Sequence, residues 1–348
     1  MGTCRETEIR SSSAAGFMIP GKGDGRQQGF YKWLIDQARS KAGAEEIAEQ
    51  VVIGLVWTLC RSGESAGLAM TPQSYTRTLN WSGALAGQPL VELVDGIRSW
   101  EPFESAVAMA AINTLCQPDL ARFEHVVELP QQAGNLAVFE HFLPRIKGAR
   151  IVVVGRYPGL ERYEQEYDLR VVERQPGPDN YPDTAAEELL PAADWVFLTA
   201  SSIINKTFPR LAELSRLATL VLMGPSMPWL PELTDWGVDY LAGTQVRDAD
   251  LLQRCVAEGG GRILFDEALQ YVVADIGRPR MQAVREEISR MAGVRDRLKQ
   301  GMEDWYSAGS RGRFPQLAGY EEVLAGLSAL DTQYKWMWDA RNPAGGRE

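Results

Sequence analysis

Hydrophobic and polar positions change pattern along this chain, and the clearest pattern begins near residue 135. From there to about residue 265, short apolar runs without helical period alternate with segments of helical periodicity. Apolar runs of four or five residues are typical of strands that a parallel sheet buries on both faces. The predicted strands are residues 151–154, 169–173, 195–199, 219–223, 238–242 and 262–265. Their alternation with helices predicts an α/β fold with a doubly wound parallel sheet.

The first part of the chain has a different order, in which strands precede helices. The predicted elements are a helix at 28–41, a buried strand at 51–60, a hairpin through 61–65 that returns along 66–70, and helices at 90–97 and 103–115. Alternating apolar residues around a short polar turn are the signal for the hairpin. Strands followed by helices indicate a small α+β domain.

The last part of the chain has the pattern of two amphipathic helices. Apolar residues recur at steps of three and four after Pro279, which is a residue suited to a helix start. They are Met281, Val284, Ile288, Met291, Val294, Leu298, Met302 and Trp305. A polar loop at 307–316 precedes a second helix from residue 319. We expect a helical hairpin that packs on the body of the chain, pairs with a second copy or receives a protein partner.

These patterns divide the chain into four parts. Residues 1–26 are rich in Ser, Gly and charge, and are predicted to be a disordered extension. Residues 27–125 form the α+β domain and residues 126–277 form the parallel-sheet domain. Residues 278–348 form the helical hairpin.

Composition and charge exclude several classes of function. The 348 residues are 45% hydrophobic and carry a net charge of −10. Without a basic stripe, a nucleic-acid partner is not expected. No apolar run approaches the ~18 residues that a membrane span needs, so no membrane span is expected. The four cysteines lie far apart without a CxxC pair, which predicts free thiols in a reducing cytoplasm.

The chain has few of the soft ligands that a metal site needs. His125 and His141 are its two histidines, and no HExxH motif or Cys/His cluster is present. A zinc site with nitrogen and sulfur ligands is therefore not expected. A site for a hard ion, made of carboxylates and carbonyls, remains open.

The main candidate for ligand binding is the stretch 193–207, ADWVFLTASSIINKT. Its apolar strand ends in small polar residues, among them Thr199, Ser201, Asn205 and Thr207. Parallel strands present such residues at their carboxyl ends, where small molecules bind. Thr207 has an alternative role as the cap of the helix that follows.

A second candidate is the turn after the first strand of the sheet, Gly155-Arg156-Tyr157-Pro158-Gly159. Its GxxxG spacing differs from the GxGxxG of dinucleotide sites, and Pro158 removes an amide donor. Glu173 ends the next strand, where it could accept hydrogen bonds from the ribose of a nicotinamide nucleotide or S-adenosylmethionine. Arg174 would suit a phosphate or carboxylate. The alternative is a plain turn followed by a surface charge pair.

The other strand ends and the first domain complete the predicted site. The carboxyl ends of parallel strands meet at one edge, so the turns after them should surround one crevice. The additional candidates are Gly224, Pro225, Ser226 and Gly243 from these turns, with Gly67 and Asn113 from the first domain. No nucleophile with a matching base can be identified from spacing, so catalytic residues stay unassigned.

Taken together, these motifs resemble a known pair of domains. The matching residues are Val154-Gly155 with Pro158, Val172-Glu173-Arg174, Leu190-Pro191 with Asp194, Ile204-Asn205-Lys206-Thr207, Gly224-Pro225-Ser226 and Ala242-Gly243. They resemble the domain family called "putative heavy-metal chelation". Ile53-Gly54-Leu55-Val56-Trp57-Thr58 and Ala66-Gly67-Leu68-Ala69 resemble its companion domain, which folds like the N-terminal part of enolase. The resemblance covers roughly residues 28–272.

The resemblance implies an enolase-N-like domain beside a Rossmann-like domain, with the site in the cleft between them. It implies a metal- or metallocofactor-associated protein. Because soft ligands are scarce, a transition metal chelated by a small organic molecule fits better than a bare ion. Two alternatives stay open. One is an enzyme with a nucleotide-like cofactor, S-adenosylmethionine or NAD, and the other is an interaction protein that recruits a partner through the C-terminal helices.

Overall fold

The computed structural model describes residues 24–43, 46–74, 81, 83–130 and 136–342, with the side chains of 24–26 left out. The prediction of a disordered extension at residues 1–26 falls almost entirely outside this part of the chain. Within it, eleven strands form two sheets. The four-part division of the chain stays a prediction.

The opening unit is an antiparallel sheet of three strands covered by helices. Its elements are α1 (Asp24–Lys41), β1 (Gln50–Ile53), β2 (Trp57–Ser62), β3 (Ser65–Met70), α2 (Leu90–Leu93) with a 3₁₀ turn at Val94–Arg98, and α3 (Pro102–Leu115). The sheet order is β1-β2-β3. The predicted hairpin joins β2 to β3 through Gly63, whose φ of 55° suits a tight turn.

One strand of this unit differs from the prediction. The continuous strand predicted at 51–60 is wrong, because the chain turns back after Ile53 and returns as β2, antiparallel to β1. Gly54 donates its amide to the carbonyl of Trp57. A Cβ atom on Gly54 would lie only 2.4 Å from the carbonyl oxygen of Val256. A distant helix therefore fixes the bend, and this contact cannot be read from the local pattern.

The second sheet has eight strands, and six neighbouring strands of it pair with one another in parallel. The elements from here are β4 (Val126–Glu128), α4 (Ala137–Phe142) with a 3₁₀ turn at Leu143–Arg145, β5 (Arg150–Val154), β6 (Asp168–Glu173), β7 (Tyr181–Pro182), α5 (Ala186–Ala192), β8 (Trp195–Thr199), α6 (Ser201–Ile204), α7 (Phe208–Leu214), β9 (Thr219–Met223), β10 (Tyr240–Val246), α8 (Ala249–Ala257) and β11 (Leu269–Asp275). The order is β4-β11-β10-β9-β8-β5-β6-β7.

The parallel strands confirm the Rossmann-like prediction. Read from β7 to β10, they follow the order 3-2-1-4-5-6 of a dinucleotide-binding sheet. The chain reverses direction across the sheet between β5 and β8, and the crevice of such folds lies at their carboxyl ends. The strand predicted at 262–265 is wrong, since Arg262–Phe265 is a 3₁₀ turn. The last strand is instead β11, antiparallel to β10.

The opening unit and the large sheet share one hydrophobic core. Buried residues of α1, α3 and the small sheet belong to the same cluster as those of α5, α7, β8 and β9. The ring of Phe30 in α1 lies 4.7 Å from that of Phe208 in α7 and 4.9 Å from that of Trp236. The two sheets are therefore held together by apolar packing as well as by hydrogen bonds.

The chain ends in the predicted helical hairpin, α9 (Arg278–Ser307) and α10 (Leu317–Arg341). The base of the hairpin packs where β9 and β10 begin, at the edge of the sheet opposite the predicted site. Arg280 of α9 pairs with the fully buried carboxylate of Asp239. Arg341 of α10 pairs with Asp275 at 2.6 Å. The base of the hairpin is therefore part of the folded body.

Candidate functional site

The turn after β5 lies directly against the end of β8. Gly155 has a φ of 100° and donates its amide to the carbonyl of Val172. A Cβ atom on Gly155 would lie 2.9 Å from the methyl group of Thr199. Two predicted site residues thus meet where the strand order reverses. Glycine is required here because both its backbone angle and its closeness to Thr199 would strain a larger residue.

Tyr157, in the same turn, extends across this edge of the sheet. Its hydroxyl lies 3.7 Å from the position that a Cβ atom on Gly224 would take. Burial raises the pKa of Tyr157 to about 12. The hydroxyl of Thr199 lies 3.0 Å from that of Ser201. The hydroxyls of Tyr157, Thr199 and Ser201 therefore lie at the crevice between β5 and β8.

Tyr157 is not among the residues predicted from the sequence, where the glycine spacing of residues 155–159 is the predicted feature. An aromatic residue inside a turn at a strand end was the available signal. Its ring contacts Phe139 of α4, with centroids 5.5 Å apart.

Glu173 is engaged by the backbone around it. One carboxylate oxygen accepts the amide of Arg156 at 2.8 Å, and the other accepts the amide of Arg174 at 2.7 Å. Arg156 directs its guanidinium toward Glu161, at 3.7 Å. Glu173 therefore fixes the turn that carries Tyr157. This use of both oxygens favours the structural alternative over a ribose contact.

A surface cavity of about 60 Å³ lies beside this turn. It is lined by charged residues of both signs, including Arg156, Glu161 and Asp179. The side chains of Arg156 and Glu161 are each more than half exposed. Charges this exposed are screened by water and contribute little selectivity.

The loop after β9 joins the large sheet to the opening unit. Gly224 has a φ of 105° and donates its amide to the carbonyl of Ala242 in β10. The hydroxyl of Ser226, a residue only 3% exposed, accepts the amide of Met70 at the end of β3. Ser226 is thus a contact between the two units.

Gly67 and Asn113 lie on the other side of this loop. A Cβ atom on Gly67 would lie 2.2 Å from the carbonyl oxygen of Ala110, so β3 and α3 are in backbone contact. Asn113 donates its side-chain amide to Leu68 at 2.7 Å and to the carbonyl of Pro225 at 3.5 Å. Its Oδ1 atom is buried and has no hydrogen-bond partner.

A small cleft opens between these elements. Its volume is about 20 Å³, and predicted site residues Gly67, Asn113 and Pro225 line it. The space holds about one water molecule. Gly243 lies behind its wall, where a Cβ atom would be 2.4 Å from Met227 and 3.2 Å from Trp229. The small size of Gly243 therefore lets these two side chains form the wall.

The remaining predicted residues lie near the other end of α3. Lys206, between Asn205 and Thr207, is the one non-glycine with positive φ, 65°, in the described part of the chain. Its ammonium donates to Ser105 of α3 at 2.6 Å and lies 4.8 Å from the ring centroid of Tyr31. Burial lowers the pKa of Lys206 to about 8.

Asn205 and Thr207 are thus separate from the cleft at Asn113. Ser105 and Asn113 are eight residues apart on α3, which is about 12 Å along a helix. Thr207 begins α7 without a side-chain cap, and its hydroxyl donates to the carbonyl of Ser202 at 3.4 Å. The predicted residues therefore form three groups, at the turn around Tyr157, at the cleft of Asn113 and at Lys206.

Comparison with known proteins identifies the family. Two family models described as "Putative heavy-metal chelation" match, DUF364 over residues 137–275 and DUF4213 over residues 35–116. A DUF364 protein of unknown function from Desulfitobacterium hafniense DCB-2 has a crystal structure that is 30% identical, with a TM-score of 0.62. The match covers 72% of this chain and 98% of that one. The chain belongs to the DUF364 family.

Two further proteins are similar to this chain. A DUF364 structure from Pyrococcus horikoshii is 25% identical with a TM-score of 0.58, and the match covers 70% of this chain and 98% of that chain. An uncharacterized protein of Methanocaldococcus jannaschii is 27% identical over 195 residues, which are 54% of this chain and 72% of the relative. The resemblance inferred from the motifs is confirmed, and both domain descriptions suggest a metal-related function.

The part of the chain that the structure describes does not fit a bare heavy-metal ion. The described residues include no group of three or more His, Cys, Asp and Glu side chains that could hold one. Burial lowers the pKa of His141 to about 4, which leaves the neutral imidazole that can bind a metal, but among the described residues two further ligands do not stand with it. Burial raises the pKa values of the Cys60 and Cys116 thiols, to about 11 and about 12. A thiol must lose its proton to bind a metal, so these two are poor ligands.

Proposed function

We propose that this protein binds a small organic ligand or a metal chelate in the cleft between its opening unit and its Rossmann-like sheet. One observation carries the proposal: Gly67 and Asn113 of the first unit and Pro225 of the second line the same cleft. Sites between two units are common places for small-molecule binding.

The uncharged lining of the cleft supports a metal chelate rather than a bare ion. None of the described residues that line it is charged. A divalent cation there would lose its hydration without gaining a counter-charge, which is costly in a buried site. A chelator brings its own donor atoms and neutralises the metal before binding. The family description and the composition of the cleft are then compatible.

The test is native mass spectrometry with elemental analysis of protein freshly isolated from its native host. We expect a retained small molecule, with or without a stoichiometric metal. Protein that carries neither, and that shows no thermal shift with a panel of metal ions and metal chelates, would refute the proposal. A full-length Asn113→Ala variant should lose any retained ligand, whereas Asn342→Ala at the end of α10 should keep it.

The strand order favours a second candidate, a nucleotide-dependent enzyme. The sheet order is that of dinucleotide-binding folds, and Tyr157, Thr199 and Ser201 lie at its crevice. The hydrogen bonds of Glu173 to two backbone amides count against it. Millimolar S-adenosylmethionine or NAD should stabilise the protein if this function is right, and Glu173→Ala should remove the effect.

The C-terminal helical hairpin of α9 and α10 suggests a third candidate function, recruitment of a protein partner or of a second copy of the chain. Tyr306, Leu324 and Trp338 are between 41% and 49% exposed along α9 and α10. A partner pulldown that is lost when α10 alone carries Leu324→Asp and Trp338→Asp would support it. Because the base of the hairpin is buried in the body, point changes are a cleaner test than deletion.

We also propose that the protein works in the cytoplasm. Cys60, Cys116 and Cys255 are free thiols, as is usual in a reducing compartment. Within the described chain, none of the helices combines the length and apolar character that crossing a membrane requires.

A further inference from the structure

The last helix, α10, carries two mostly apolar stripes along neighbouring lines of its surface. In both stripes the residues recur in steps of three and four, which is the heptad pattern of helices that pack side by side. The inner stripe consists of Val323, Gly326, Leu330, Gln333, Met337 and Ala340. The outer stripe consists of Leu317, Tyr320, Leu324, Leu327, Tyr334 and Trp338, with Asp331 as its charged member.

The inner stripe packs on the rest of this chain. A Cβ atom on Gly326 would lie 2.6 Å from Cε of Met291, so α9 approaches α10 closely along this line. Gln333, which is buried, donates its side-chain amide to the carbonyl of Arg216 at 2.9 Å. Met337 is fully buried. The inner stripe is therefore covered by α9 near the tip of the hairpin and by the folded body near its base.

The outer stripe is largely exposed to solvent. Of its six apolar members only Leu327 is buried, and Leu324 and Trp338 are 41% and 49% exposed. The rings of Tyr334 and Trp338 are stacked, with centroids 6.3 Å apart, and extend the apolar surface toward the base of the hairpin. In a helix bundle, a helix with two apolar stripes packs against two neighbours. The hairpin itself supplies one of them.

Opposite charges lie along one edge of the outer stripe. Glu321 and Lys335 follow Tyr320 and Tyr334, two heptads apart, with Ser328 midway between them. The side chain of Glu321 is 58% exposed, and its contact with Arg313 is a distant 3.6 Å. Lys335 is exposed as well. An edge that is negative at one end and positive at the other is complementary to its own copy in the antiparallel direction.

From these observations we infer that the outer stripe is the interface with a second copy of this chain, with the two α10 helices antiparallel about a two-fold axis near Ser328. Glu321 of each copy then faces Lys335 of the other. This inference is independent of the ligand proposed for the cleft, and it assigns the third candidate function to a second copy.

The position of Asp331 agrees with the antiparallel direction. In a parallel pair of helices, Asp331 would lie in the same layer as Asp331 of the second copy, and the two carboxylates would repel each other. In the antiparallel pair the two residues lie on opposite sides of the axis, about 9 Å apart along the helices. The apolar members of the stripe can then pack without this repulsion.

The mass of the full-length protein in solution tests the interface. Size-exclusion chromatography with light scattering, over a dilution series that reaches about 100 µM, should give the mass of two chains at the high end. The double variant Leu324→Asp with Trp338→Asp should give the mass of one chain throughout. Ala325→Asp adds a charge to an exposed position of α10 outside both stripes and should dimerise like the unmodified protein. Circular dichroism checks that each variant keeps its helices.

A charge exchange tests the antiparallel direction. Glu321→Lys and Lys335→Glu each create two like-charge contacts across the axis, so either change alone should weaken dimerisation about tenfold. The variant that carries both changes restores opposite charges and should recover the affinity of the unmodified protein.

A one-chain mass at every concentration would overturn the inference, even if the protein captured an unrelated partner. So would a dimer that survives the double variant at Leu324 and Trp338, single charge variants that dimerise normally, or a charge exchange that fails to recover affinity. A protein without a ligand at the cleft would refute the proposed function and leave this result unaffected.

Discussion

Replacing Gly67 with alanine tests the contact on which the candidate cleft depends. The added Cβ atom would lie 2.2 Å from the carbonyl oxygen of Ala110, 2.3 Å from the amide nitrogen of Thr114 and 2.6 Å from the carbonyl carbon of Asn113. All three atoms belong to the backbone of α3, so no side-chain rotation can relieve the overlap. To restore ordinary van der Waals spacing, α3 and β3 must separate by about 1 Å.

The expected cost follows from this geometry. Forcing an extra methyl group into a packed core costs about 1–3 kcal/mol. The rigid backbone on both sides places Gly67→Ala at the upper end of that range. Alanine also restricts the unfolded chain, which returns about 0.4–1 kcal/mol. We therefore expect a net loss of about 2–2.6 kcal/mol in the free energy of unfolding.

Urea denaturation followed by tryptophan fluorescence measures this loss. Gly29→Ala in α1 is the matched control, because nothing lies within 4 Å of the added Cβ atom. There the higher helix propensity of alanine should stabilise the protein by about 0.5–1 kcal/mol. If Gly67→Ala unfolds at the same urea concentration as the unmodified protein, or a higher one, then β3 and α3 do not pack as described and the cleft has a different shape.

Three further variants test other parts of the structure. Ser226→Ala removes the acceptor of the partly buried Met70 amide and should cost about 0.5–1.5 kcal/mol in urea denaturation; an unchanged midpoint would mean that the two units are not joined there. His141 has a folded pKa of about 4, below its unfolded value, so stability should be full above pH ~6.5 and fall toward pH 4. His141→Gln should flatten this fall, and an identical pH profile would contradict it. A Cβ atom on Gly277 would lie 2.5 Å from the side chains of both Arg341 and Asp239, which belong to the two buried ion pairs at the base of the helical hairpin. Gly277→Ala should therefore lower the melting temperature. Gly293→Ala should not, because the nearest atom to its added Cβ would be 3.7 Å away.

Strands buried on both faces were predictable because their signal is local. The predicted strands at 195–199 and 219–223 match β8 and β9 residue for residue. Each is a short apolar run between polar residues, which few other structures produce. The rule that βαβ crossovers are right-handed limits the possible strand orders to a few but does not choose among them, and the sequence analysis makes no prediction of the order.

The elements that the sequence mispredicted depend on such contacts. The bend at Gly54 arises from its approach to Val256, about two hundred residues later. The segment Arg262–Phe265 has an apolar pattern but forms a 3₁₀ turn, and its apolar side chains include Leu264, buried against the small sheet. In both places a tertiary contact overrides the local preference.

One contact among the candidate residues was predictable from the sequence, but the way in which they divide into groups was not. Turns at the ends of parallel strands were expected to surround one crevice, and Gly155 and Thr199 do meet there. The loop after β9 divides the rest, because Tyr157 approaches it from one side and Asn113 from the other. Sequence spacing cannot show which side of a loop a distant residue reaches.

This division has a consequence for how the two units act together. Gly224 and Pro225 are consecutive, yet the first faces the hydroxyls at the crevice of the sheet and the second faces the cleft of Asn113. A ligand bound beside Pro225 would contact the loop that also bounds the crevice. Ser226 holds this loop to Met70. We predict that ligand binding at the cleft alters the NMR signals of Tyr157 without any direct contact, and unchanged signals would show that the loop does not couple the two sites.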